Sequence, residues 1–256
     1  MAIAQIFRRR FGGLVTLAQI LRGPVLLDPA LPSDRLAALF QKLKAEYRDS
    51  GRQILFWTPE LPDGDDAIAL LRGCRLRQVM TGYGSARIDL QRAEDELRAA
   101  LHGKWRNALV TAETGPLRTE TTSGGIAVLW LLERYGAQRR QQRFGGPSPV
   151  MLVHILGRAT PRDVVLMRAL KDNEPVAGAL FLRHGRAATY LVGWSDDAGR
   201  AAGAGTLLLW RGMLTLRERG VEILDLGGID TRREPGIARF KLGAGGTPYR
   251  LAGTFA

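Results

Sequence analysis

The chain has 256 residues, 45% of them hydrophobic and 24% charged, which places it among folded globular proteins of one large or two compact domains and excludes intrinsic disorder. Thirty-seven basic residues against 25 acidic ones leave a net charge of +12, and every basic residue except Lys42, Lys44, Lys104, Lys171 and Lys241 is arginine. Arginine suits phosphate and carboxylate, so the balance fits an anionic partner such as tRNA, a nucleotide sugar or an acidic lipid surface; a GC-rich coding bias would produce the same residues with no such partner.

Cys74 is the single cysteine, so no intramolecular disulfide can form and a reducing compartment is expected. His102, His154 and His184 lack any metal-ligand spacing, so no metal site is expected. The apolar stretches 126–132 and 164–167 fall short of the ~18 residues that span a bilayer. Gly12 and Gly13 interrupt the residues after Arg8–Arg10, which therefore read as neither signal peptide nor anchor, and a cytoplasmic protein is expected.

In chain order, residues 2–21 read as a basic helix able to touch a membrane surface from the cytoplasmic side. A strand at 24–28 precedes a helix over 36–47, with Leu36, Leu39, Phe40, Leu43 and Tyr47 at helical spacing and Ser33 or Asp34 as N-cap. A strand at 53–57, a brief helix at 66–71 and a strand at 85–90 complete a first section. Residues 90–113 read as one helix, with Glu94, Asp95 and Glu96 near its start and Lys104 and Arg106 near its end, as the macrodipole favours. A helix over 123–139 follows, and Ser148-Pro149 opens another to Leu156. Strands at 163–169, 175–182 and 187–194 form a meander. A helix at 203–219, a strand at 221–226, a short helix at 236–242 and a strand at 247–251 end an α+β pattern. The domains expected are 1–88 and 89–256, with about the last 12 residues returning to pair with the first.

Three segments carry candidate chemistry. Arg200-Ala201-Ala202-Gly203-Ala204-Gly205 lies between a strand and a helix, where unobstructed backbone N–H groups can cradle a pyrophosphate. The cofactor candidates there are Arg200, Gly203, Ala204 and Gly205, and the segment resembles the R/Q-x-x-G-x-G/A acyl-CoA loop of the GNAT acyltransferases; a flexible helix start reads equally from the same residues. The second segment runs from Ile223 through Asp225, Gly227, Gly228 and Asp230 to Phe240-Lys241 and Gly243–Gly246. Glycines at a strand end admit a ligand or another backbone, and Lys241 could supply positive charge where negative charge develops; a lysine at a helix C-terminus before a glycine stop is the plainer reading. The third is Lys104-Trp105-Arg106-Asn107 near the end of a helix, suited to stacking and phosphate contact, or else a Trp packed inward beneath solvated charges.

Together these residues resemble the FemABX aminoacyltransferases. Lys104–Asn107 is similar to their K-W-R-N helix, Leu224–Asp230 to their D-x-G-G-I strand, Phe240–Gly246 to their F-K-x-G-F-G-G terminus, and Arg22-Gly23-Pro24 to an R-G-P strand. Pro175–Leu180 with Tyr190–Gly193 also matches, so the resemblance covers about residues 20–250 in order. It implies a tandem GNAT-like fold with a shortened N-terminal domain, and no permanently bound cofactor. It also implies transfer of an amino acid from aminoacyl-tRNA to an amine on a nucleotide- or lipid-linked peptidoglycan precursor. Lys241 with Phe240 would be catalytic, the lysine steadying the tetrahedral intermediate. Lys104, Trp105, Arg106, Tyr190 and Asp230 would bind substrate. A GNAT-type N-acyltransferase using acyl-CoA, supported by Arg200, Gly203 and Gly205, stands as the alternative, and a degenerate non-catalytic binding protein as a third reading.

Overall fold

The computed structural model describes residues 2–28, 30–47, 53–142 and 145–256. The chain divides into two compact units, Met1–Gly84 with Tyr249–Ala256, and Ser85–Pro248.

The first unit contains β1 (Ala2–Ile3), β2 (Phe7–Phe11), β3 (Val15–Leu21), β4 (Val25–Leu26), α1 (Ser33–Glu46), β5 (Gln53–Thr58), α2 (Asp65–Gly73) and β6 (Gln78–Met80). Residues 2–21 are therefore strands, where the sequence reading expected a helix. Gly12 and Gly13 both have positive φ, 54° and 72°, and with Leu14 form the three-residue connection of an antiparallel β2–β3 hairpin. Beyond the turn, β3 buries Ala18 and Ile20 two residues apart, the strand period. Helix α1 starts at Ser33 with Pro32 in the cap position, so neither Ser33 nor Asp34 caps it. Phe40 of α1 meets Trp57 of β5 edge-on at 4.6 Å between centroids, and Ile20, Leu71 and Phe255 close this core. Phe255 lies in a last strand, Thr254–Phe255, that pairs with both β5 and β6.

The second unit contains β7 (Gly84–Asp89), α3 (Glu94–Ala100), α4 (Gly103–Glu113), β8 (Arg118–Thr122), α5 (Ile126–Gln142), α6 (Pro149–Leu156), β9 (Val164–Lys171), β10 (Glu174–His184), β11 (Ala187–Ser195), α7 (Asp197–Ala201), α8 (Ala204–Glu218), β12 (Ile223–Asp225), α9 (Pro235–Gly243) and β13 (Thr247–Arg250). Its sheet has the order β13-β7-β12-β11-β10-β9-β8. Within β10, Ala177, Ala179 and Phe181 join one core with α4 and α8, whereas Leu180 joins another with α5 and α6. That alternation covers both sheet faces with helix. Ser148 caps α6 by accepting from the Met151 N–H at 3.2 Å.

Two features position the site. The single helix expected over 90–113 is two helices, because Leu101 and His102 are extended, with ψ near 137° and 141°. Lys104–Asn107 consequently forms the first turn of α4 and not a helix end. The second feature is the β11–β12 pairing, which is parallel and covers only Ala187–Thr189 against Ile223–Asp225. Just past it, β11 carries a bulge opposite Leu180/Phe181 that sets Phe181 across from Tyr190.

Candidate active site

Helix α9 ends with carbonyls that have no intrahelical partner. Trp105 Nε1 donates to the Phe240 carbonyl at 3.1 Å, and the His102 N–H donates to the Gly243 carbonyl at 3.0 Å. Trp105 is buried, with its ring 6.2 Å from that of Phe240. The K-W-R-N tryptophan is thus a brace for the helix that carries Phe240 and Lys241. The glycines after α9 are explained by the same packing. A Cβ on Gly243 would stand 2.8 Å from Trp105 Cδ1, and one on Gly245 would stand 2.9 Å from the Ala100 carbonyl oxygen. Arg106 donates to the carbonyls of Ala99 and Leu101, at 2.8 and 3.0 Å, and so closes the C-terminus of α3.

Lys241 is half-buried, and its Nζ donates to the Gly228 carbonyl at 2.8 Å. The same Nζ lies 5.9 Å from the Tyr190 ring centroid. Burial pulls the lysine down to about 8, against the opposing pull of the Glu234 and Asp225 carboxylates. Tyr190 packs on Phe181 at 5.4 Å, and burial pushes its phenol well above the ordinary tyrosine value. The Tyr190 hydroxyl occupies the place a side chain at Gly193 would take, 1.8 Å from an ideal Cβ.

The turn facing Lys241 is built by residues that the sequence reading did not single out as site residues. Asp225 is buried, and its Oδ1 accepts from the Gly227 N–H at 2.8 Å and sits 2.6 Å from Ser85 Oγ. Ser85 Oγ is also 2.8 Å from the Gly227 carbonyl, so its one proton serves either acceptor. Gly227 has φ 72°, which a side chain would strain. Ser85 and Asp225 are 140 residues apart, so no local pattern announces their bond. Replacing Asp225 by asparagine should move the Lys241 titration to lower pH, since a carboxylate that holds the ammonium up is gone. The lysine should then lose its proton below pH 8; an unmoved titration would remove Asp225 from this role. Asp225→Ala should cost about 1–3 kcal/mol in denaturant unfolding by leaving the Gly227 N–H without its acceptor, while Ser85 keeps the Gly227 carbonyl.

Between α4, α8 and α9 lies a cavity of about 620 Å³, whose walls include His102, Trp105, Phe240 and Thr206 and whose cationic groups are Lys104 and Arg239. Phe240 and Lys241, adjacent in sequence, therefore serve two places: Phe240 the cavity, Lys241 the Gly228 turn.

The remaining candidates lie elsewhere. Asp230 Oδ1 accepts from the N–H groups of Arg232 and Arg233, at 2.9 and 2.8 Å, which holds its carboxyl below the usual range and makes the turn before α9. Arg200 donates to the Ser195 carbonyl and pairs with Asp197 within α7. Gly203 is the N-cap of α8, with Ala112 Cβ 3.2 Å from where its own Cβ would sit. Ala204 is fully buried, and Gly205 faces Phe240, 3.9 Å from an ideal Cβ. Among the described residues no group of three or more His, Cys, Asp or Glu could hold a metal, and no helix is long and apolar enough to cross a membrane.

A family profile described as an acetyltransferase (GNAT) domain matches residues 95–250. The structure is similar to that of FemX, with a TM-score of 0.81 at 16% identity, covering 100% of this chain and 84% of that one. It is also similar to L-PGS from Bacillus licheniformis, with a TM-score of 0.58 at 11% identity over 98% of this chain and 80% of that one. A tandem GNAT protein from the clavulanic acid biosynthesis pathway gives a TM-score of 0.53 at 16% identity over 93% and 74%. Likeness at these identities concerns the fold. No curated protein sequence matches the chain.

Proposed function

The chain belongs to the acetyltransferase (GNAT) domain family and is an acyltransferase with a tandem GNAT-like fold, and we propose that it moves an amino acid from aminoacyl-tRNA to an amine on the stem peptide of a peptidoglycan precursor. One observation carries this reading: α9 sets Phe240 in the wall of a cavity bearing His102, Lys104 and Arg239, while Lys241 stands beside the Gly227–Gly228 turn. The Lys104 and Arg239 cations suit the terminal phosphates of a tRNA, and the apolar walls suit an adenine and an aminoacyl group. The acceptor amine attacks the ester carbonyl and a C–N bond forms; the C–O bond then breaks, and the proton lost by the amine passes, directly or through water, to the departing oxygen, which leaves as the tRNA 3′-terminal hydroxyl. The Lys241 ammonium stabilises the oxyanion between those two events. Trp105 fixes α9 so that the lysine needs no reorganisation, and Tyr190 borders the acceptor. No permanently held cofactor is required. Such a donor belongs to the cytoplasm, and either a nucleotide-linked or a lipid-linked precursor offers the same amine.

An acyl-CoA donor is the second reading, favoured by the Arg200–Gly205 turn before α8. Against it, Arg200 is held by the Ser195 carbonyl and Asp197. Binding of bulk charged tRNA and of acetyl-CoA at two salt concentrations separates the donors. The expected result is tRNA binding that weakens steeply with salt, and no acetyl-CoA binding. Micromolar acetyl-CoA affinity, with tRNA binding lost at physiological salt, would overturn the aminoacyl-tRNA reading.

A further inference from the structure

Helix α6, Pro149-Val-Met-Leu-Val-His-Ile-Leu156, has one polar side chain, His154, yet only Leu152 is fully buried. Val150, Met151, Val153 and Ile155 are 68%, 47%, 46% and 37% exposed. The helix is held to the sheet through Leu152 and to α5 through Pro149, whose Cγ lies 3.0 Å from an ideal Cβ on Gly136. Its outer side is left apolar, contiguous and open to water, an arrangement that folded proteins keep small unless something covers it.

The charge beside it points to what covers it. From Ile126 to Asp163 the described residues include five arginines and two acids, Glu133 and Asp163, and the Glu234 carboxylate accepts from the Gly145 N–H before α6, so arginines outnumber acids there. Arg140 Nη1 lies 3.6 Å from that same Gly136 position, at the start of α6, and Arg158 follows its end. A basic border around an apolar helix face is the pattern of a segment that lies in the headgroup layer of an anionic bilayer. A second copy would bring like charge to the same border, since the chain carries +12. A nucleic acid would find no use for four exposed aliphatic side chains.

We propose that α6 and its flanking arginines dock the protein on the surface of an anionic phospholipid bilayer, with Val150, Met151, Val153 and Ile155 entering the acyl boundary. The proposal is independent of which acyl donor the enzyme uses.

The test is sedimentation of the full chain with vesicles of phosphatidylcholine alone or with about one third phosphatidylglycerol. Partitioning onto the anionic vesicles should be at least about tenfold stronger and should fall with salt. Val150→Glu with Val153→Glu should lower it by about tenfold or more, at unchanged circular dichroism and melting temperature. Should that pair perturb folding, Arg140→Glu with Arg158→Glu reads the electrostatic half separately, and about a tenfold loss is again expected. Equal partitioning onto both vesicle types, or retention by both variant pairs, would overturn the proposal. So would a dimer in sedimentation velocity that the valine substitutions dissolve, because a second copy would then cover the face, as would loss of RNA binding in those variants.

Discussion

Lys241→Ala is expected to lower kcat by about 10²–10³-fold, the scale for losing one stabiliser of a developing oxyanion, with little change in unfolding midpoint. The side chain lies at the end of α9, and its Nζ donates to a backbone carbonyl, that of Gly228. Its removal leaves the buried Asp225 carboxylate still held by the Gly227 N–H and Ser85. The pH dependence is sharper still. With the lysine pulled down to about 8, its cation is present below that value and is lost as pH rises through it. Turnover that needs the cation should fall above about pH 8. Lys241→Arg, which keeps its charge throughout, should lack that fall even if it is slower overall. A rate that instead climbs through pH 8 would mean that the neutral amine acts as a base, and the oxyanion role would be wrong. Folding carries the corresponding sign. The unfolded lysine holds its proton up to its ordinary value of 10.5 and the folded one only to about 8, so stability should rise with pH across that window and flatten in Lys241→Ala.

Gly212→Ala should destabilise the protein, although helix propensity alone argues for a gain of about 1 kcal/mol. Gly212 lies within α8, and an ideal Cβ there would stand 2.3 Å from Phe181 Cζ and 2.4 Å from Cε2. Phe181 is fully buried on β10 and cannot retreat without moving its neighbours. Overpacking of this kind costs about 1–3 kcal/mol, which exceeds the propensity term. The ring that must move packs against Tyr190, which in turn lies beside Lys241. A lower urea midpoint with a simultaneous loss of turnover is therefore expected. A midpoint equal to or above that of the parent protein would show that the core accommodates the methyl group.

What the sequence disclosed depended on whether the cause was local. Ser148-Pro149 announces α6 because cap and first turn lie within four residues, and the cap bond is there. The 187–194 strand and its hairpin with 175–182 follow from alternation and turn residues for the same reason. The break between α3 and α4 is different. Acids at 94–96 and bases at 104 and 106 read as one dipole-matched helix, but His102 donates its N–H to Gly243, 141 positions further on. Residues 2–21 read as a basic helix but form strands, and the Gly12-Gly13 pair is itself a hairpin signal. At the site, Phe240-Lys241 stood out as a motif. The brace by Trp105 and the Ser85–Asp225 scaffold arise only from tertiary contact.

The measurement that tests the central claim most directly is single-turnover transfer from bulk charged tRNA to a stem-peptide amine, by the parent protein and Lys241→Ala, with acetyl-CoA as competing donor. The account expects amide formation from the charged tRNA, a loss of about 10²–10³-fold in the variant, and no acetylated product. Acetylated peptide with the tRNA ester left intact, or equal rates in the two proteins, would contradict it.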